Sequence, residues 1–500
     1  MQRIVSPRQM RELEARYMKE TGTPSIELME RAATGVCDEI EQRLDGCAGH
    51  AVYFACGPGG NGGDGYAAAR LFASRGGKSV VISISDESSL SSDTLTNCVR
   101  AHDTPRVFFH DMAEIDSLPP PDMWVDAMFG IGLNKALEAG ASAIAMRMQH
   151  DRALGAIVLA VDIPSGLSGQ TGELLGTGVQ ADLSVTFECP KFGHVLLDGL
   201  DQVGELLTVS IGIPHEMLDG NVALRPDLDD LIPHFPSRAR NSHKGTYGHV
   251  LLIAGSRGMA GAALIAAMAA LRSGVGLVTV LCPESVLPIL QVGEPCAMCV
   301  PLPEQDGVIS SDALPIVEKL LMGKSAVVIG PGLGKAPPEI VECVLCSGLP
   351  ALLDADALNI MSENAQLMGL LRSHHLITPH PGEAARLLGH ACTDPVQDAL
   401  ALHALGCTAL LKGATSVIAG DEVHLSSSGC PGMAKGGSGD ALSGVCGALM
   451  AQGFDTELAA WLGSELHGRA GENAGAQLGD RSMTAMDLVH QLKEAFRLVW

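Results

Sequence analysis

The stretch that decides the fold is AVYFACGPGGNGGDGYAAARLFASRGGKSVVISIS, residues 51–85. A short apolar run stops at a cluster of glycines, a segment with helical spacing follows, and a second apolar run begins. The pattern reads as strand, loop, helix, strand. MWVDAMFG (123–130) and AIVLAVDIPSG (156–166) repeat the theme of a continuous apolar run ending in a polar or glycine-rich loop. Strands without alternating polar positions belong in a parallel sheet covered on both faces, and such sheets collect ligands at the C-terminal ends of their strands.

Working outward, the character changes at residues 213–245, IPHEMLDGNVALRPDLDDLIPHFPSRARNSHKG, which is rich in proline and charge and has no long apolar run. This marks a domain boundary. Beyond it the alternation restarts with GHVLLIAGS, GAALIAAMAALRSG, GLVTVLC, SAVVIGPGLG, ALLDADALN, HLITPHPGEAARLLG and TALLKGATSVIAG. Five hundred residues exceed one ordinary core. The expectation is an α/β protein of two domains, residues 1–218 and 225–500.

Composition narrows the function. With 33 basic and 57 acidic side chains the formal charge is −24, so no global basic field draws nucleic acid or an anionic membrane. Any phosphate site must be local, built from backbone N–H groups at helix starts. The 14 cysteines sit singly in apolar stretches, as expected in a reducing compartment. Two C-x-x-C pairs, Cys296/Cys299 and Cys343/Cys346, have the wrong intervening length for a zinc ribbon and read as packing positions. The N-terminus lacks a signal peptide's apolar centre, and no apolar stretch is long enough to span a bilayer. The chain is expected to be soluble and cytoplasmic.

Two loops carry candidate chemistry. In GPGGNGGDG (57–65), Gly57, Gly59 and Gly62 satisfy G-x-G-x-x-G, with Asp86 after the next strand where a ribose-binding acid would stand, so a dinucleotide oxidoreductase is one reading. The loop also carries Asn61 and Asp64, and the next two strand ends carry Asp126 and Asp162. Three carboxylates at successive strand ends would meet in one pocket, where repulsion calls for a cation or a bound proton. Asn61 and Ser165 add neutral oxygens suited to a hard cation. Singly, each Asp reads as a cap or turn residue.

In GMAKGGSGDALSG (432–444), Gly436, Gly437 and Gly439 allow the backbone to turn N–H groups inward at a helix start, forming a cradle for a transferring phosphoryl group. Asp440 follows as a candidate general base. KGATS (412–416) adds a cation and turn donors for a nucleotide phosphate. Taken alone, GGSGD is also an ordinary helix cap.

GPGGNGGDG, VDAMFGIGL, AVDIPSGLSGQTG and TFECPKFGH together resemble the epimerase half of the bifunctional NAD(P)H-hydrate repair enzymes, over most of residues 10–215. SHKGTYGHVLLIAGSRGMAGA, GPGLG, DADALN, TPHPGE, LKGATS and GMAKGGSGDALSG, in that order, resemble their dehydratase half over about 225–495. The resemblance implies a Rossmann-like three-layer α/β/α domain followed by a ribokinase-like α/β domain. It implies epimerisation of R- and S-NAD(P)HX by the first, and dehydration of S-NAD(P)HX to NAD(P)H by the second, with ADP converted to AMP and phosphate.

Carried over by position, Gly60, Asn61, Gly62, Gly63, Asp64, Gly130, Ile131, Gly132, Leu133 and Asn134 would hold the hydrate beside catalytic Asp162. Asn61, Asp126 and Ser165 would bind K⁺. In the second half, Ala262, Gly334, His380 and catalytic Asp440 would contact the hydrate. Lys412, Gly413, Ala414, Thr415, Ser416 and Gly439 would hold the nucleotide with Mg²⁺.

Two positions depart from the family: Gly60 stands where an Asn is usual, and Cys430 where another Asn is usual. The expected partners are NADHX, NADPHX and ADP, with no nucleic acid, no membrane, and self-association into a homo-oligomer. A sugar or hydroxymethylpyrimidine-type kinase shares the glycine-Asp chemistry but has no use for the first half. A non-catalytic nucleotide sensor would not need Asp440, Lys412 and the cradle together.

Overall fold

The apolar run at 51–56 forms the strand Ala51–Cys56 in the middle of a seven-stranded parallel sheet. The computed structural model describes residues 1–108, 112–218 and 222–499, so residue 500, the last of the second expected domain, lies outside the described residues. The sheet order is Arg106–Phe108, Lys78–Ser83, Ala51–Cys56, Met123–Ala127, Ile157–Val161, Leu183–Phe187, Glu205–Val209. The chain builds outward from Ala51–Cys56 in one direction, then returns to its other side with Met123–Ala127. That reversal opens the crevice at which open α/β sheets bind ligands.

Alternate residues of the central strand enter different cores, because successive strand side chains point to opposite faces. Val52, Phe54 and Cys56 pack with Tyr66, Phe72 and Ala33. Tyr53 and Ala55 pack with Trp124, Ile144 and Met148. Both faces are thereby apolar, which is why the strands read as unbroken hydrophobic runs.

Clustering of contacts divides the chain into Arg3–Val222 and a second unit comprising Met1–Gln2 and Ala223–Trp500. In the second, parallel strands run side by side in the order Met298–Leu302, Leu277–Pro283, His249–Ile253, Ala326–Ile329, Ala351–Leu353, His375–Ile377, Thr408–Leu411. The antiparallel strands Val417–Ala419 and Val423–Leu425 extend this sheet. The helices Ala260–Arg272, Ser438–Ala451 and Thr456–Leu478 contribute to one large core. Small residues set their spacing: a Cβ on Gly444 would stand 2.2 Å from the Ala266 carbonyl oxygen. The abundance of Gly and Ala therefore reflects close backbone packing as well as ligand loops.

All fourteen cysteines are free thiols. Of the two C-x-x-C pairs, Cys299 and Cys343 are half-buried while Cys296 and Cys346 are exposed. Among the described residues, no helix is long and apolar enough to cross a membrane.

Candidate active sites

Gly57 begins the first loop directly after its strand, and its N–H donates to the Ala127 carbonyl at 3.0 Å. Any Cβ there would lie 1.7 Å from the Met128 carbonyl oxygen. One on Gly62 would lie 1.8 Å from the Gly57 carbonyl oxygen. Gly57 packs this loop against the one after Met123–Ala127, and Gly62 folds the start of the helix back onto Gly57. Gly59 and Gly60 face open space. The helix Gly60–Ser74 starts here, carrying Asn61 and Asp64 in its first turns. The G-x-G-x-x-G spacing thus serves two purposes, backbone packing at its ends and an open approach between them.

Asp126 is fully buried near the end of its strand. Its Oδ1 accepts from the Ser165 hydroxyl at 2.6 Å and the Met128 N–H at 3.2 Å, and its Oδ2 from the Ser165 N–H at 2.7 Å. Burial raises the carboxyl to about 6, against the pull of these hydrogen bonds. Asn61 lies close by, its Oδ1 3.1 Å from where a Gly130 Cβ would be. Both polar atoms of its amide are buried without a hydrogen-bond partner. An orphaned amide oxygen beside a desolvated carboxylate and a hydroxyl is a donor set suited to a hard monovalent cation.

Asp162 follows the next strand with a left-handed φ of +62°, an uncommon conformation for a residue with a side chain. Its Oδ1 accepts from Lys191 Nζ at 2.7 Å and Thr186 Oγ1 at 2.9 Å. Its carbonyl meets His194 Nε2 at 2.7 Å. The Lys191 N–H donates to His194 Nδ1, so the other ring nitrogen carries the proton. Burial and the Lys191 charge lower His194 to about 4, leaving it neutral at neutral pH. Burial is the largest influence on Asp162 and opposes its ionisation, but the Lys191 ammonium, His194 and the hydrogen bonds from Lys191 and Thr186 together outweigh it and hold the carboxyl below its ordinary value.

The neighbouring acids behave oppositely. Asp64 is pushed well above the usual range by desolvation and by the charges of Asp162 and Glu14. Glu14, from the helix Pro7–Thr21, is also raised, chiefly by desolvation.

The sequence reading expected repulsion among Asp64, Asp126 and Asp162 to be relieved by one cation or proton. In the structure, Asp126 is engaged with Ser165, while Asp64, pushed towards its protonated form, and Asp162 share an electrostatic cluster with Glu14 and the protein's own Lys191. Lys191, Thr186 and His194 all lie in the quoted TFECPKFGH stretch but received no role. A buried lysine after a strand was the available signal. Glu14 carried none, because its helix reads as an exposed, charged surface.

In the second unit the C-terminal ends of four adjacent strands bring together GPGLG (330–334), Asp354, the loop before His380, and Lys412. Gly330, Gly332 and Gly334 all have positive φ, and a Cβ on Gly330 would stand 1.8 Å from the Asp354 carbonyl oxygen. The Gly334 N–H donates to Asp356 at 2.8 Å. Between Asp354 and Asp356, Ala355 takes φ +48°. His380 caps the helix Pro381–Leu388, its Nδ1 accepting from Gly382 and Glu383 N–H at 3.0 and 3.3 Å. Its ring is half exposed.

Lys412 is held by carboxylates at the end of its strand. Its ammonium bonds Asp354 Oδ1 at 2.7 Å and lies 3.9 Å from buried Glu383. Desolvation works against its charge, but Asp354 and Glu383 raise its affinity for the proton. The other Asp354 oxygen accepts from the Ser443 hydroxyl at 2.6 Å. Gly439 faces this pair, since a Cβ there would be 3.4 Å from Lys412 Nζ and 4.0 Å from Asp354 Oδ2.

Gly437, at φ +98°, precedes the helix Ser438–Ala451, whose first turn carries Asp440. Buried His467 meets the Ser438 carbonyl at 2.9 Å and braces that helix start. Desolvation and then the Asp354 charge push Asp440 up to about 6, partly offset by Lys412. Asp354, in the quoted DADALN, was detectable by the same strand-end rule that picked out Asp126 and Asp162. Cys430, half-buried, directs its Sγ to the Gly471 carbonyl at 3.3 Å and is packed into the unit rather than presented to a ligand loop.

Two α/β units, each placing a lysine-paired aspartate and a glycine-rich helix start at the C-terminal ends of parallel strands, define a two-domain enzyme of small, phosphate-bearing molecules. Family models match both: "YjeF-related protein N-terminus" over residues 25–193 and "NAD(P)H-hydrate dehydratase" over 250–494. A bifunctional NAD(P)H-hydrate repair enzyme of Moorella thermoacetica is 36% identical, with 99% of this chain and 96% of that protein aligned. Its counterpart in Coxiella burnetii is 35% identical, with 97% and 98% aligned. An ADP/ATP-dependent NAD(P)H-hydrate dehydratase from Bacillus subtilis, solved with ATP and Mg²⁺, is 28% identical with a TM-score of 0.47, covering 55% of this chain and 98% of its own. The chain belongs to the bifunctional NAD(P)H-hydrate repair enzymes, which join an epimerase domain to a dehydratase domain.

Proposed function

We propose that the second unit dehydrates S-NAD(P)HX by phosphorylating it, with ADP as donor and AMP and phosphate as products. Hydroxide is a poor leaving group and phosphate a good one. Asp440 accepts the proton of the hydrate's C6 hydroxyl as that oxygen attacks the terminal phosphoryl group. The ring nitrogen's lone pair then expels phosphate, and loss of a C5 proton restores the dihydronicotinamide. The observation that carries this reading is Asp440, raised to about 6, at the glycine-rich start of a helix facing the Lys412–Asp354 pair.

Backbone N–H groups near Gly439 cradle the transferring phosphate, with Lys412 to Ser416 beneath the nucleotide. Lys412 acts through Asp354 as well as through its own charge. Mg²⁺ accompanying the nucleotide supplies charge screening. Ala262, Gly334, His380 and Asp440 contact the hydrate.

The first unit exchanges the R and S hydrates. Gly60 to Asp64 and Gly130 to Asn134 border its pocket, and Asp162, kept ionised by Lys191, takes the C6 hydroxyl proton as the bond from C6 to the ring nitrogen opens to leave a planar aldehyde carbon, and returns the proton as that bond re-forms on either face. Asn61, Asp126 and Ser165 hold K⁺, which supplies fixed positive charge beside the hydrate. The unpartnered amide of Asn61 supports that assignment. In keeping with the composition, we place the enzyme in the cytoplasm as a homo-oligomer of residues 1–218 and 225–500.

The test supplies separated R and S epimers of NADHX with ADP and Mg²⁺ and follows NADH absorbance. Consumption of both epimers is expected. Consumption of S alone refutes the epimerase reading, and no NADH from either refutes the dehydratase reading. Asp162→Ala should abolish use of the R epimer; undiminished R-to-S conversion would remove Asp162 from the mechanism.

A further inference from the structure

Away from both candidate active sites, the hairpin Val417–Ala419/Val423–Leu425 meets the start of the helix Thr456–Leu478. Glu422 lies at the hairpin turn, His424 on its second strand, and Glu457 in the first turn of the helix. One ligand atom from each lies within 4.8 Å of the others. His424 is only 4% exposed, and its Nδ1 is buried without a hydrogen-bond partner. That nitrogen points at Glu457 Oε1, 3.6 Å away, too far for a hydrogen bond. The imidazole is stacked on Trp461, centroids 5.4 Å apart and planes 8° from parallel, which fixes the direction of its lone pair.

A buried imidazole nitrogen left without a hydrogen bond is costly, and the gap between it and the Glu457 carboxylate is one that a metal ion would bridge. Glu457 is already positioned, because its carboxylate accepts the N–H groups of Asp421 at 2.7 Å and Glu422 at 3.1 Å. Glu422 is exposed, its Oε2 4.0 Å from the other ring nitrogen of His424, and joins an ion on Nδ1 by turning its side chain towards Glu457. Ligands of a tetrahedral ion bound at ~2.0–2.1 Å stand roughly 3.3 Å apart, close to the His424–Glu457 separation. A cleft of about 790 Å³ borders all three residues and gives solvent and ions access.

We propose that His424 Nδ1, Glu457 and Glu422 bind a divalent transition-metal ion of the Zn²⁺ type, with water completing its shell. One nitrogen and two carboxylate oxygens suit Zn²⁺, Fe²⁺ or Mn²⁺ rather than a thiolate-seeking ion. The ion clips the hairpin to the helix. The same hairpin leads back to the Lys412–Ser416 loop through the paired backbone of Ser416 and Ser426, so the clip steadies the base of that loop.

The experiment uses the full chain, stripped with chelator and crystallised with Zn²⁺, and collects anomalous diffraction at the zinc edge. A peak at bonding distance from His424 Nδ1 and Glu457 is expected. Zinc found only at cysteines, with none here at saturation, overturns the site. In solution, competition against a chromophoric chelator should show wild type holding one more Zn²⁺ than His424→Gln, with far-UV circular dichroism and a cooperative unfolding transition reporting that the variant is folded. Equal stoichiometry in the two folded proteins overturns the site. Glu422→Gln, an exposed change that does not threaten folding, should weaken this equivalent about tenfold or more; unchanged affinity removes Glu422 from the ligand set.

Discussion

Both units set an aspartate at the end of a parallel strand and neutralise it with a lysine that follows a later strand, at 2.7 Å in each case. Each also has a non-glycine residue in the left-handed region at that point, Asp162 itself in the first and Ala355 beside Asp354 in the second. The consequences differ. In the first unit the lysine-paired acid, Asp162, is the one at the crevice, and its proton is held off while Asp64 is pushed up. In the second the lysine-paired acid, Asp354, is braced by Ser443, and a third residue, Asp440, receives the upward shift. One arrangement keeps the lysine-paired carboxylate charged; in the other, burial and the charge of Asp354 raise a neighbouring carboxyl, which the proposed mechanism uses as its base. The general lesson is that a strand-end carboxylate acquires its role from the cation the fold assigns to it.

The sharpest way to break this comparison is Asp440→Asn. It should cost the dehydratase about 10²–10⁴-fold in turnover, while nucleotide binding by calorimetry and epimerisation persist. Retained turnover would show that Asp440 is not the base. Lys191→Met comes next. It leaves Asp162 buried and uncompensated, so the first unit should lose about 3–5 kcal/mol in denaturant unfolding, while S-epimer dehydration in unstressed protein stays near wild type. A negligible loss would mean the Asp162–Lys191 pair does not organise that site.

Acidity tests the second unit more gently. A base must be unprotonated, so activity depending on Asp440 is present above its value of about 6 and lost as pH falls through it. Dehydration of the S epimer should drop about tenfold in kcat/KM between pH 7 and pH 5. A flat profile would place the base elsewhere. Asp162, held low by Lys191, contributes no such drop in that interval.

The smallest effect is expected from Gly60→Asn, which restores the residue usual in the family. Its φ is not in the left-handed region and a Cβ there meets nothing within 4 Å. Stability should change by no more than about 0.5 kcal/mol, while the KM for the R epimer falls. An unaltered KM would show that the first Asn position is dispensable in this chain.

Much of the fold was legible in the linear text. Continuous apolar runs ending at glycines announce buried parallel strands, because a strand covered on both faces has no polar positions to show. The proline- and charge-rich stretch at 213–245 signals the division, and the compact units part at residue 222. Met1 and Gln2 grouping with the second unit had no signal in sequence, since three or four residues carry no periodicity. Strand-end acids were equally readable, and the rule that found Asp126 and Asp162 also covers Asp354.

What the residue order determined by itself is therefore local: which segments are strands, where glycines permit tight or open loops, and which acids stand at the loops' starts. Tertiary structure alone decided the charge state of those acids. Asp162 meets Lys191 across 29 positions and Asp354 meets Lys412 across 58. Only the stacking of strands in the sheet brings such pairs together, and only burial makes their mutual field strong enough to separate one carboxyl from the next. The orphaned amide of Asn61 and the unpartnered nitrogen of His424 arise in the same way, because loss of solvent is a property of the packed chain and not of any segment within it.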